Sequence, residues 1–231
     1  MRTSGELSAL ERAVEVMDTL RSPGGCPWDA EQTHDSLARY LLEETYETLE
    51  AIETADPVLL REELGDLLLQ VLFHARLAEE LPEPQRFSIE DVAGDLVAKL
   101  VRRHPHVFAG DSSGTALAGA RHIDSEQVNA AWEHNKALEK GRTSIVEGVP
   151  LAQPALALTA KLVARAARAG IAADPAPPDV AVSDAEAAIG ARLFAVVQDA
   201  VAAGIEPETA LRRTARSYRA ALLVAEDATR S

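Results

Sequence analysis

The chain has 231 residues, a formal charge of −14, 47% apolar residues and only 4% aromatic ones. An excess of 37 acidic over 23 basic residues excludes general affinity for nucleic acid or an anionic membrane surface, and no apolar run reaches the ~20 residues of a membrane span. The single Cys26 excludes an internal disulfide and fits a reducing cytoplasm, and the charged N-terminus lacks the apolar core of a signal peptide.

An Ala-, Leu- and Glu-rich composition with few aromatics predicts an all-α fold. Residues 6–21 read as a helix, with Leu7, Leu10, Val14, Met17 and Leu20 at spacings of three and four. Pro23-Gly24-Gly25-Cys26-Pro27 enforces a loop, and Trp28 with Asp29 is expected to lock it. A second helix is predicted from Asp35 to Glu53, with Leu37, Leu41, Thr45, Thr48, Leu49 and Ile52 as its stripe. Asp56 reads as an N-cap and Pro57 as a first-turn residue. The helix they open is apolar on both sides: Leu60, Leu64, Leu67, Leu68, Val71 and Leu72 on one, Leu69, Phe73 and Leu77 on the other. It is expected to be central and largely buried.

A fourth helix starts at Ser88, with Asp91 three residues on as an approximate capping box, and ends at Arg102-Arg103-His104-Pro105. Residues 109–121 are rich in Gly, Ser and Ala and read as a loop. Another helix is predicted from Asp124 to about Lys140, with Trp132 and Lys136 on one face. After Gly141 the chain becomes Ala-rich, broken by Asp174-Pro175-Ala176-Pro177-Pro178. Within it, Ile189-Gly190-Ala191-Arg192-Leu193-Phe194 echoes Leu64-Gly65-Asp66-Leu67-Leu68-Leu69, with Ala188 in the place of Glu63 and Ala191 in that of Asp66. The second half reads as a copy kept for packing and stripped of ligands.

The chemistry is concentrated between residues 43 and 66. Glu43, Glu44 and Glu47 share a narrow arc of one helix, and Glu62, Glu63 and Asp66 repeat that spacing on the next. Like charges at such spacings repel, and an unpartnered buried carboxylate is costly. Two such clusters facing one another need a cation. Oxygen donors without His or Cys select a hard ion, Mg²⁺ or Mn²⁺. The bland reading is a solvated helix face, which suits Glu50, Glu53 and Asp56. It does not suit Glu63, which falls between Leu59 and Leu67 inside the apolar arc. Arg102 and Arg103 complement a helix C-terminus whether or not they bind phosphate, and the histidines read as structural.

Gly25-Cys26-Pro27-Trp28-Asp29, the EExxE and ExxD pair, Lys99 through Arg103 followed by His104-Pro105-His106-Val107-Phe108, and Trp132 with Lys136 together resemble the MazG-type nucleoside triphosphate pyrophosphohydrolases over about residues 6–140. The resemblance implies a fold of the four-helix-bundle type, a homodimer, and Mg²⁺ (Mn²⁺ as substitute) held between two helices. It implies hydrolysis between the α- and β-phosphates of a nucleoside triphosphate; nucleotide-pool housecleaning is the expected role, with damaged and ordinary nucleotides both open as substrates. Carried over residue by residue, Glu44, Glu47, Glu63 and Asp66 are the metal ligands. Glu43 supports them at the attacking water, Lys99, Arg102 and Arg103 bind phosphates, and Trp132 with Lys136 closes on the nucleotide. Residues 1–140 form the active module and 141–231 a degenerate one. Tyr40 stands where some members carry a basic residue. The non-enzymatic alternative is a nucleotide-binding or regulatory helical dimer without turnover. His34-Asp35 lacks the upstream His of an HD-type phosphohydrolase, and no phosphate-binding glycine loop occurs.

Overall fold

The computed structural model describes residues 7–108, 144–174 and 183–230. The chain forms two compact units, 1–124 and 125–231, and the described residues are helical with no strand among them. In the first unit α1 spans Ala9–Arg21, α2 Pro27–Glu31, α3 His34–Thr54, α4 Pro57–Ala78, α5 Ile89–Arg103 and α6 Pro105–Phe108. In the second, α7 spans Ala155–Arg168, α8 Asp184–Ala202 and α9 Pro207–Arg230. The loop expected over 109–121 and the helix expected over 124–140 lie outside the described residues.

Capping explains the crispness of the starts. Ser8 and Glu11, Thr33 and Ser36, and Ser88 and Asp91 form reciprocal boxes in which each side chain satisfies the other's backbone N–H. The Asp56 carboxylate accepts from the N–H groups of Val58 and Leu59, with Pro57 in the first turn. Between α3 and α4 the chain reverses through Ala55, whose φ of 55° lies in the left-handed region. At Gly25 a Cβ would come within 2.3 Å of the Leu20 and Thr19 carbonyl oxygens, so only glycine lets the loop fold back onto the end of α1. The Cys26 N–H then donates to the Leu20 carbonyl. The short α2 had no periodicity to betray it; Pro27 at its start was its one sign.

The core of the first unit joins Met17 of α1, Leu37 of α3 and Leu72, Phe73 and Leu77 of α4, with Val14, Tyr40, Leu68 and Ile89 against them. Trp28 does lock its loop: its ring meets Tyr40 and Phe73 edge-on, at 5.9 and 6.4 Å between centroids. Arg21 donates to the Asp29 carbonyl and to Glu80, and Arg76 joins Asp18 and Glu80, so charges tie α1 and the loop to the end of α4. One expectation fails in part. Burial changes along α4: from Gln70 to Ala78 nearly every residue is buried or half-buried, whereas Leu64, Leu69 and Val71 are 52, 41 and 43% exposed. The reason is geometric: α1, α3 and α5 pack on α4 but enclose its second half more fully than its first. Leu41 and Ile52 of the predicted α3 stripe are likewise exposed.

The second unit packs α7, α8 and α9 against one another around Val149 and Val197. Arg165 is buried there and donates to the Ile145 and Glu147 carbonyls, at 2.8 and 2.9 Å. Among the described residues no single helix is long and apolar enough to cross a membrane.

Candidate metal centre

The antiparallel α3–α4 pair carries the acids. Packing in the most extensive helix contact among the described residues, α3 presents Glu44 toward the α4 face that bears Glu63 and Asp66. One carboxylate oxygen from each of these three residues lies within 4.8 Å of the others. Glu63 is buried, at 7% exposure, while Glu44 and Asp66 are half-buried. Glu47 is exposed but close enough to Glu63 for a side-chain hydrogen bond. Three of the four acids expected as ligands thus meet at one place on the α3–α4 seam, with Glu47 beside Glu63 at its exposed edge.

The electrostatics follow from the crowding. Burial pushes the Glu63 carboxyl above the ordinary carboxylate range, and the charges of Glu47, Asp66 and Glu62 push it further. Burial also raises Glu44, followed by the charges of Asp66, Glu47, Glu63 and Glu43. Glu43 itself is exposed and reaches the centre through its charge. The Oε2 atom of Glu63 is buried and has no hydrogen-bond partner in the protein. An acceptor oriented inward with nothing to accept from, amid three more carboxylates, suits a ligand that brings positive charge. An all-oxygen donor set suits a hard divalent ion. The residues fit the ion that the resemblance implies.

The remaining expected site residues are placed less fully. Lys99 is half-buried, Arg102 exposed and Arg103 buried, all on the last turns of α5, which packs on α4. Trp132 and Lys136 lie outside the described residues. A cavity of about 320 Å³ between α1 and α4, lined by Met17, Asp18, Leu72 and Arg76 among others, includes none of Glu44, Glu47, Glu63 and Asp66.

Two α4 residues escape sequence reasoning. Gln70 is 5% exposed, and its Oε1 is buried without a partner. His74, one turn on, sits with His34 in parallel rings 5.0 Å apart, Nδ1 to Nδ1 at 2.7 Å. Burial and the neighbouring His34 hold His74 below the usual imidazole range. The available signal was register: Gln70 lies four residues beyond Asp66 and seven beyond Glu63, on the ligand-bearing face.

Comparison with known proteins agrees with this geometry. The family model described as the MazG nucleotide pyrophosphohydrolase domain matches residues 32–108, which enclose all four acids. An uncharacterized 26.1 kDa protein of the blaB 3′ region of Streptomyces cacaoi is 50% identical over 92% of this chain and 81% of its own length. The nucleoside triphosphate pyrophosphohydrolase of Mycobacterium tuberculosis is 51% identical over 73% of this chain; the matched segment is 48% of that relative, so this chain spans about half its length. The nucleoside triphosphate pyrophosphohydrolase/pyrophosphatase MazG of Thermotoga maritima is 38% identical over 94% of this chain and 85% of its own length. A match of that extent, together with the family domain over the acid-bearing hairpin, places the chain in the MazG nucleotide pyrophosphohydrolase family.

Proposed function

We propose that the chain hydrolyses nucleoside triphosphates to the monophosphate and pyrophosphate, in a reaction dependent on Mg²⁺ or Mn²⁺, at the seam between α3 and α4. The observation that carries this reading is the convergence of Glu44, Glu63 and Asp66 on one point with the Glu63 Oε2 orphaned. Names borne by the relatives from M. tuberculosis and T. maritima support the substrate class.

Glu44, Glu47, Glu63 and Asp66 would hold the ion. When bound, it neutralises the triphosphate, acidifies a water and aligns it for in-line attack. The chain's own residues do the rest. Glu63 is fixed by burial, so its carboxylate pays no ordering cost when substrate arrives. Burial and neighbouring charge raise Glu44 and Glu63 above their ordinary range in the metal-free protein, a rise that a bound cation would offset, and the exposed Glu43 at the rim is assigned to orienting the attacking water. Lys99, Arg102 and Arg103 are the cations assigned to the phosphates, and Trp132 with Lys136 to the nucleotide's outer side. Catalysis is assigned to residues 1–140; residues 141–231, with Ala188 and Ala191 in the places of Glu63 and Asp66, are assigned to packing.

A homodimer is part of the reading. Val92, Leu96, Val97, Leu100 and Val101 of α5 are all at least 36% exposed, which is much apolar surface for one helix to show to water. Housecleaning of damaged or non-standard nucleotides in the cytoplasm is the proposed role, and the lone free Cys26 fits that compartment. The test is a panel of standard and damaged deoxynucleoside triphosphates incubated with Mg²⁺ and full-length protein, with pyrophosphate measured. Release with at least one substrate is expected. No release at micromolar enzyme would instead favour a nucleotide-binding or regulatory dimer without turnover.

A further inference from the structure

Among the described residues, three buried side-chain atoms have no hydrogen-bond partner: Glu63 Oε2, Gln70 Oε1 and His74 Nε2. All three belong to α4, at i, i+7 and i+11, so they fall within about 40° of one another around the helix. Gln70 stands about 6 Å along the axis from Asp66, one turn beyond the acid centre. Packing does not explain a glutamine at that place. It is 5% exposed, and Met or Leu would fill the same volume without burying an amide.

We propose that Gln70 is a positioning residue of the metal centre, its carboxamide oxygen accepting a hydrogen bond from water carried by the ion. The inference rests on the metal reading given above. Its logic is one of donors and acceptors. None of the carboxyl groups of Glu44, Glu47, Glu63 and Asp66 is bonded to Gln70 Oε1, and once ionised around a cation they only accept. His74, one turn further on, is itself unpartnered at Nε2 and does not supply the bond. The missing donor arrives with the ligand, and water polarised by a divalent cation is a strong donor. Partners of this kind orient the inner ligands and tune the metal without touching it.

The test uses the full-length chain with Mn²⁺ alone, followed by electron paramagnetic resonance, and thermal melting of the same variants without metal. Gln70→Met keeps the length of the side chain and removes the acceptor. Its Mn²⁺ dissociation constant is expected to rise about 10-fold, while the metal-free melting temperature stays level or rises, because a buried unsatisfied group has gone. Gln70→Glu restores an acceptor at the same distance and should bind within about threefold of the parent, in keeping with that same outer-ligand role. Three results overturn the proposal: Mn²⁺ affinity of Gln70→Met within twofold of the parent, a metal-free melting temperature several degrees lower, or Gln70→Glu binding as weakly as Gln70→Met. If the parent itself binds no Mn²⁺, the metal centre fails; if the parent binds and Gln70→Met binds equally, only the role of Gln70 fails.

Discussion

Helices α4 and α8 carry related glycine-centred segments, Leu64–Leu69 and Ile189–Phe194, yet their surroundings differ sharply. In α4, Glu63 is pressed into the seam with α3, while in α8 the matching Ala188 is exposed, as is Ala191 in the position of Asp66. Around α4 stand Met17, Leu37 and Phe73 in a connected core; around α8 the buried apolar side chains are Val149 and Val197. A buried carboxylate among further acids is costly unless positive charge offsets it. α8 packs instead on α7, whose residues from Ala155 to Arg168 include no acid, and alanine stands at the matching positions.

The comparison is most easily broken through packing. Phe73→Ala should destabilise the first unit by about 3–5 kcal/mol, against about 1–2 kcal/mol for Val197→Ala in the second. Chemical denaturation followed separately for each unit checks this, and equal losses would erase the contrast. Next in size, Glu63→Gln should lower turnover by more than about 100-fold, since removing even an outer partner of a metal ligand costs 10–100-fold. Steady-state kinetics on the folded variant decide it, and near-normal rates would remove Glu63 from the site.

A smaller effect concerns pH. Glu44 and Glu63 lie above their ordinary range in the metal-free protein, so the folded state holds protons that the unfolded chain has released. That preference stabilises the fold below the ordinary glutamate range and is lost as pH rises through the raised values. Metal-free Glu63→Gln should therefore melt above the parent at pH 7 and converge with it near pH 4. Over the same interval Mn²⁺ affinity of the parent should fall as pH drops, because protons compete for the same oxygens; a flat titration would contradict this. The smallest effect expected is none: Ala188→Glu with Ala191→Asp should create no second Mn²⁺ site by calorimetry, because α8 faces no acid-bearing counterpart of α3.

Much of the first unit was legible in the sequence for local reasons. Ser8, Asp56 and Ser88 announce helix starts through chemistry confined to one turn, and the spacing of Glu44, Glu47, Glu63 and Asp66 encodes their shared faces. What escaped depends on partners distant in sequence. Nothing local says that Leu69 and Val71 stay exposed, since that turns on how much of α4 its neighbours cover. Gln70 looked like one polar residue in an apolar run; its meaning lies in the absence of a partner, which only three dimensions reveal. The pairing of His34 with His74 spans 40 residues and was equally hidden.

The reversal at Ala55 and Asp56 has a kinetic consequence. Because α3 and α4 are joined almost without a connecting loop, both halves of the acid constellation lie in one αα-hairpin. Closing so short a loop costs little entropy, and contacts between sequence neighbours form early and fast. The acid constellation can therefore assemble before the rest of the chain has docked, and Ala55→Gly, which relieves the left-handed turn, should quicken that step rather than alter the centre.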